Sequence, residues 1–71
     1  HDALPICLVT LHGADIFVAY DSDEDGAWVD FVQIGGKWWE VEQVHTKQWI
    51  DALNEALEAK LLAEAADEAQ P

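Results

Sequence analysis

The residues best suited to chemistry are acidic. Asp21-x-Asp23-x-Asp25-Gly26 sets three carboxylates at alternate positions before a glycine, as in the first half of a calcium loop that wraps a hard cation. The second half fails, because position twelve, where a bidentate Glu belongs, is Val32. Asp21, Asp23 and Asp25 are therefore a weak metal candidate, and the expectation is a solvated hairpin loop and no metal site. His12 and His45 stand alone, without the spacing or cysteine partners of a zinc site. Nucleophilic catalysis would have to use Cys7 or Ser22 beside a positioned base. Cys7 sits in an apolar run, where a thiol is inert packing, and Ser22 sits among acids that disfavour a developing negative charge. The expectation is that the chain is not an enzyme and takes no cofactor.

The remaining carboxylates belong to the stretch around which the chain is organised, Trp28 to Val44. Two runs of alternating character flank Gly35-Gly36, the pattern of a β-hairpin. Strict alternation sends Val29, Phe31, Trp39 and Val41 to one face and Trp28, Asp30, Trp38, Glu40 and Glu42 to the other. A two-residue Gly35-Gly36 turn would set Phe31 opposite Glu40 and mix the faces. A three-residue loop, Ile34-Gly35-Gly36 with Gly36 left-handed in a bulge, keeps them separate. That register pairs Phe31 with Trp39, Val29 with Val41 and Asp30 with Glu40. Carboxylates directly opposite one another destabilise a strand pair, and such a conflict marks a working surface. The candidate partner-binding residues are thus Trp28, Asp30, Trp38, Glu40 and Glu42, with the acids Asp51, Glu55 and Glu58 as the competing surface. Trp39 and Trp49 are assigned to the core.

The elements that must hold this hairpin follow from pattern. Ile6 to Leu11, after Pro5, is almost wholly apolar and reads as a well-paired strand covered on both faces. His12-Gly13-Ala14-Asp15 turns the chain into a second strand, Ile16 to Tyr20, and Asp21 to Gly26 reads as an exposed loop. Thr46 is a helix N-cap candidate. Trp49, Ile50, Leu53, Leu57 and Leu61 recur at helical spacing, with Asp51, Asn54, Glu55 and Glu58 on other sides. The helix is expected from about Lys47 to about Ala65, fraying where acids crowd its C-terminal end. The fold class is α+β, a four-stranded antiparallel β-meander with one C-terminal α-helix packed on one face (ββββα), as a single domain over residues 1–71.

Composition narrows the function. Fifteen Asp and Glu against three Lys and Arg give a net charge of −12. Direct nucleic-acid binding needs a basic footprint that is absent, and an anionic membrane surface is excluded on the same ground. No apolar run is long enough to span a bilayer and no signal-like segment opens the chain. His1 is given no role. A lone cysteine gives no internal disulfide, and the expected setting is the cytoplasm. The charge favours a strongly basic partner, reached by electrostatic steering. In size and charge the chain is similar to small phage-encoded inhibitors of host restriction or CRISPR complexes. That similarity implies a DNA-mimic inhibitor whose carboxylates stand in for phosphates on a nucleic-acid-binding protein. The alternatives are a structural subunit that forms a homodimer through its aromatic sheet face, and a calcium-binding loop protein.

Overall fold

The computed structural model describes residues 4–69, with side chains described through residue 66. His1 lies outside that range. Four strands, β1 (Ile6–Leu11), β2 (Ala14–Asp23), β3 (Gly26–Ile34) and β4 (Lys37–Glu40), are followed by a single helical turn, α1 (Val41–Val44), and a long helix, α2 (Lys47–Ala69). The strands form one antiparallel sheet in the order β1-β2-β3-β4, and α2 packs on one face of it. The ββββα meander is therefore present, with α1 inserted before the helix.

Three short turns set the meander. Leu11 pairs with Ala14 around His12-Gly13, and both turn residues have positive φ, 52° and 80°. Ile34 pairs with Lys37 around Gly35-Gly36, with φ of 60° and 81°. A two-residue hairpin turn that matches the twist of its strands requires left-handed backbone at both central positions, which a glycine pair adopts without strain. Asp23 pairs with Gly26 around Glu24-Asp25, and the Asp25 backbone N–H donates to Asp23 Oδ1 at 2.8 Å. The acidic loop expected over Asp21 to Gly26 is thus mostly strand.

The expected register of the glycine hairpin is overturned. Phe31 pairs with Glu40, Val32 with Trp39 and Gln33 with Trp38. The cause lies further back in β3. Ala19 of β2 pairs with Phe31, but the next residue, Tyr20, pairs with Val29. Asp30 is left without a partner as the extra residue of a β-bulge. Strict alternation therefore stops at Asp30. Val29 and Val32 share the core face, while Phe31 turns to the outer face beside Glu40. Asp30 and Glu40 are not opposite one another. Val41 does not extend β4 opposite Val29 but opens α1, where it is buried.

The core is Val9, Val18, Val29, Val32 and Val41 against Leu53 and Leu57 of α2, with Trp49, Ile50 and Leu61 packed at its margins. The apolar stripe of the helix is as expected. Thr46 caps it, its Oγ1 accepting from the Trp49 backbone N–H at 3.3 Å. Helical backbone continues to Ala69, four residues past the expected end. Trp49 also stacks on His45, with ring centroids 4.0 Å apart. Burial lowers the His45 pKa, since desolvation disfavours the imidazolium. Trp39 is a correction: it lies on the helix side of the sheet but remains 42% exposed, because α2 packs on β1 and β3 and does not reach β4.

β1 is an edge strand and not a doubly covered one. Its partner on the sheet is β2 alone, extended by the Tyr20 backbone N–H donating to the Pro5 carbonyl at 3.1 Å. The Lys60 ammonium reaches from α2 and donates to the Leu8 carbonyl. A lysine laid on an edge strand hinders pairing with a foreign strand.

Candidate acidic cleft at the bulge

The bulge that breaks the expected register also builds the site. β4 ends at Glu40, so the first half of β3, Gly26 to Asp30, has no β4 partner on that side. The chain turns there into α1, and α2 begins below. Between them lies a cleft of about 590 Å³ lined by Trp28, Val29, Asp30, Phe31, Glu40, Val41, Glu42, Ile50 and Asn54.

Asn54 supplies the partner that β4 does not. Beyond the end of β4 the β3 backbone has no strand partner on that side, and an unpaired backbone N–H near the core costs free energy comparable to a lost bond. Asn54 Oδ1 accepts from the Val29 backbone N–H at 2.8 Å, 25 residues away in the chain. Asparagine is a poor helix former, so its place in the middle of α2 is a local cost offset by this bond. Asn54 therefore turns toward the sheet and is half-buried, not on an outer side of the helix as its polarity suggested.

Four of the five candidate residues meet at this cleft: Trp28, Asp30, Glu40 and Glu42. Trp38 does not join them. It lies on the outer sheet face opposite Gln33. Asp30, half-buried at the bulge, has its pKa raised, chiefly by burial and then by the negative charge of Asp21, while hydrogen bonding from the Trp28 side chain pulls it partly back. Glu40 and Glu42 are exposed at the rim. No lysine lines the cleft, and one of the chain's three cations, Lys60, is engaged at Leu8. The cleft therefore gathers three carboxylates and an indole with no cation of its own. Val29, Phe31, Val41, Ile50 and Asn54 also line the cleft, although sequence pattern placed the first four on apolar faces and Asn54 on another side of the helix. An Asn in the middle of an apolar-striped helix was the one available signal for them.

The other candidates are placed apart. Asp21 and Asp23 lie on β2 and Asp25 in the following turn, and Asp21 Oδ1 accepts from the Ser22 backbone N–H at 2.8 Å. Among the described residues, no three His, Cys, Asp or Glu side chains are grouped to hold a metal ion. The hairpin uses the Asp21 and Asp23 carboxylates locally, each accepting from a backbone N–H. Cys7 packs against the core from β1, and burial raises its thiol pKa, with Lys60 lowering it and Glu64 raising it in part. The acids Asp51, Glu55 and Glu58 are exposed on α2. Among the described residues, no helix is long and apolar enough to cross a membrane.

Compared with protein-family models, with curated proteins and with solved structures, the chain matches none.

Proposed function

We propose that this chain is a non-enzymatic acidic protein-binding module that docks on a basic surface of its partner, a surface built to hold nucleic acid. The observation that carries this reading is the cleft at the bulge. Asp30, Glu40 and Glu42 converge beside Trp28 without a compensating cation in a chain of net charge −12. An arginine or lysine side chain fits that chemistry. Its charge meets the three carboxylates, and its stem or guanidinium lies against the indole, where cation–π attraction adds to the ion pairs. Burial of Asp30 raises the energy of its carboxylate in the free protein, and an arriving cation relieves that cost. Asp21, Asp23, Glu24 and Asp25 extend the negative field along the β2–β3 hairpin. A field of this size steers a basic partner into encounter and weakens as salt rises. A protein evolved to grip phosphates presents the complementary surface.

The test is capture from a lysate by the immobilised chain at low and at high salt, with two charge-reversed variants beside the parent. Asp30→Lys with Glu40→Lys removes the cleft charge, and Asp51→Lys with Glu55→Lys removes an equal charge from α2. The reading expects nucleic-acid-binding proteins to be retained at low salt by the parent and by the helix variant, to be lost by the cleft variant, and to be competed away by duplex DNA. Retention by the cleft variant with loss by the helix variant assigns the surface to α2. Retention by both rejects recognition through charge.

A further inference from the structure

The cleft at the bulge lies where a further strand would lie. β4 pairs with β3 only as far as Glu40 opposite Phe31, and the chain then leaves that line at Val41 to form α1. β3 itself extends back to Gly26. At about 3.3 Å per residue, the cleft-lining stretch Trp28 to Phe31 spans roughly 13 Å, room for a strand of about four residues. Its main-chain groups face the right way. Asp23 and Gly26 close a two-residue turn and exchange hydrogen bonds, so the pairs after them alternate, and Val29 opposite Tyr20 turns its N–H and C=O away from β2. The Val29 N–H shows this direction, since Asn54 Oδ1 takes it at 2.8 Å. The Val29 carbonyl points to the same side, and β4 brings it no donor. The bond to Val29 also fixes the Asn54 amide, because only its oxygen can accept from an N–H, and Nδ2 keeps its two donor hydrogens. An acceptor from β3 and a donor from α2 thus stand together at the cleft, the two groups that one residue of an added strand has to meet.

We infer that the partner enters this cleft as an extended segment that adds a short strand to the free edge of β3, with Lys or Arg alternating with apolar residues along it. Strand addition draws affinity from main-chain hydrogen bonds and specificity from alternate side chains. The two lips of the cleft differ as such alternation requires. Trp28 and Asp30 share the outer lip, the Trp28 side chain donating to the Asp30 carboxylate, and Val41 and Ile50 lie on the helix side. One side chain of the segment therefore meets a carboxylate and an indole, and the next meets two aliphatic side chains. Charge complementarity selects a basic occupant, because the charged side chains lining the cleft are Asp30, Glu40 and Glu42. A second copy of the chain is not that occupant: its three lysines, Lys37, Lys47 and Lys60, are scattered and never alternate with apolar residues. The main chain selects the extended form, since a lysine or arginine tip on a folded surface leaves the Val29 carbonyl and Asn54 Nδ2 unmatched. The two sides of the sheet are also treated differently. At the β1 edge Lys60 covers the Leu8 carbonyl, as edge strands protected from foreign pairing are covered, whereas no lysine lines the cleft at β3. The inference deepens the proposed function and rests on it for the charge of the segment; the strand form stands on the free edge of β3.

The test is an NMR titration of the full chain at low salt with the acetylated and amidated peptide Arg-Val-Arg-Val-Arg and with two forms of it, one N-methylated at every Arg and one at every Val. In an added strand alternate N–H groups share an edge, so one set faces β3 and the other faces water. One methylated form is therefore expected to bind at least about 10-fold more weakly than the parent peptide, as loss of main-chain hydrogen bonds entails, and the other within about 2-fold of it. The Val29 amide and the Asn54 side-chain amide resonances are expected to shift on binding. Equal binding of all three peptides overturns the added strand and leaves recognition by charge standing. Equal weakening of both methylated forms overturns it as well, because methylation then acts through the shape of the peptide and not through one edge. Binding that leaves the Val29 and Asn54 resonances unmoved places the segment elsewhere and has the same consequence. Absence of binding by all three overturns the inference together with the reading that the cleft takes a basic partner.

Discussion

Replacing Asn54 by Ala separates two accounts of that residue by sign. If Asn54 were a passenger on α2, its removal would raise stability by roughly 0.6 kcal/mol, the difference in helix propensity between the two residues. The structure assigns it a different part, because its Oδ1 takes the Val29 backbone N–H at 2.8 Å where β4 has ended and β3 has no strand partner on that side. Leaving a partly buried donor unpaired costs about 1–3 kcal/mol. The propensity gain subtracts from this, so the expected net loss is about 0.5–2.5 kcal/mol. For a domain of this size each kcal/mol shifts Tm by about 4–8 °C. The assay is urea unfolding followed by the fluorescence of Trp28 and Trp49, with thermal melting as a second measure. Asn54→Asp, which keeps the accepting oxygen, should recover most of the bond at the cost of a charge near Asp30. An Asn54→Ala protein as stable as the parent, or more so, refutes the claim that the helix holds this open stretch of β3.

Other expectations follow from the same packing. Leu57→Ala empties a fully buried site and should cost about 2–5 kcal/mol, whereas Phe31→Ala, on the outer face, should cost the monomer less; comparing the two in dilute urea titrations checks which face holds the core. Gly26→Ala should destabilise the chain, because Gly26 has φ of 148° and an added Cβ would lie 3.1 Å from Glu58 Oε2; a melting temperature equal to the parent's would contradict this. His45 gives a pH effect of definite sign. Its folded pKa is lowered below the ordinary 6.5 by burial, so the unfolded chain binds the proton more tightly and stability falls as pH drops below 6.5. His45→Gln should remove that part of the slope in unfolding free energy measured between pH 7 and 5, and an unchanged slope would count against it.

How much of this was legible in the sequence differs by element. Thr46 and the Trp49, Ile50, Leu53, Leu57 and Leu61 stripe gave the helix its start and its buried face, because capping chemistry and helical spacing act locally. The meander followed from short turns between apolar runs. The register of the glycine hairpin did not, since a bulge has no compositional mark: Trp28 to Val32 reads as unbroken alternation, and nothing local shows that Asp30 is the extra residue. The error spread from there. With Phe31 assigned to the core, a two-residue turn seemed to mix faces, when the outer face is itself apolar and Glu40 sits at its corner. Val41 to Val44 fits a strand by alternation and a helical turn by its three-residue spacing of valines, and only the end of β4 decides between them. Even so, four of the five residues chosen for the acidic surface meet at one cleft, because they flank the bulge in the chain and the hairpin folds β3 back on β4.

The most direct test of the central claim is the titration of the Asp30 carboxyl by carbon-detected NMR, in the free chain and with an arginine-rich peptide as the cation. In the free chain the pKa is expected above the ordinary 3.8, raised by burial and by Asp21. Protonation is then favoured by folding, so this group's contribution to stability is greatest at low pH and is lost as pH rises from 3.8 through the folded value. With the peptide bound, the cation should stabilise the carboxylate and lower the Asp30 pKa, accompanied by shifts of the Trp28 indole resonance and by affinity that weakens with salt. Peptide binding that leaves the Asp30 titration and the Trp28 signal unmoved would contradict the account, as would an Asp30 that titrates at its ordinary value in the free chain.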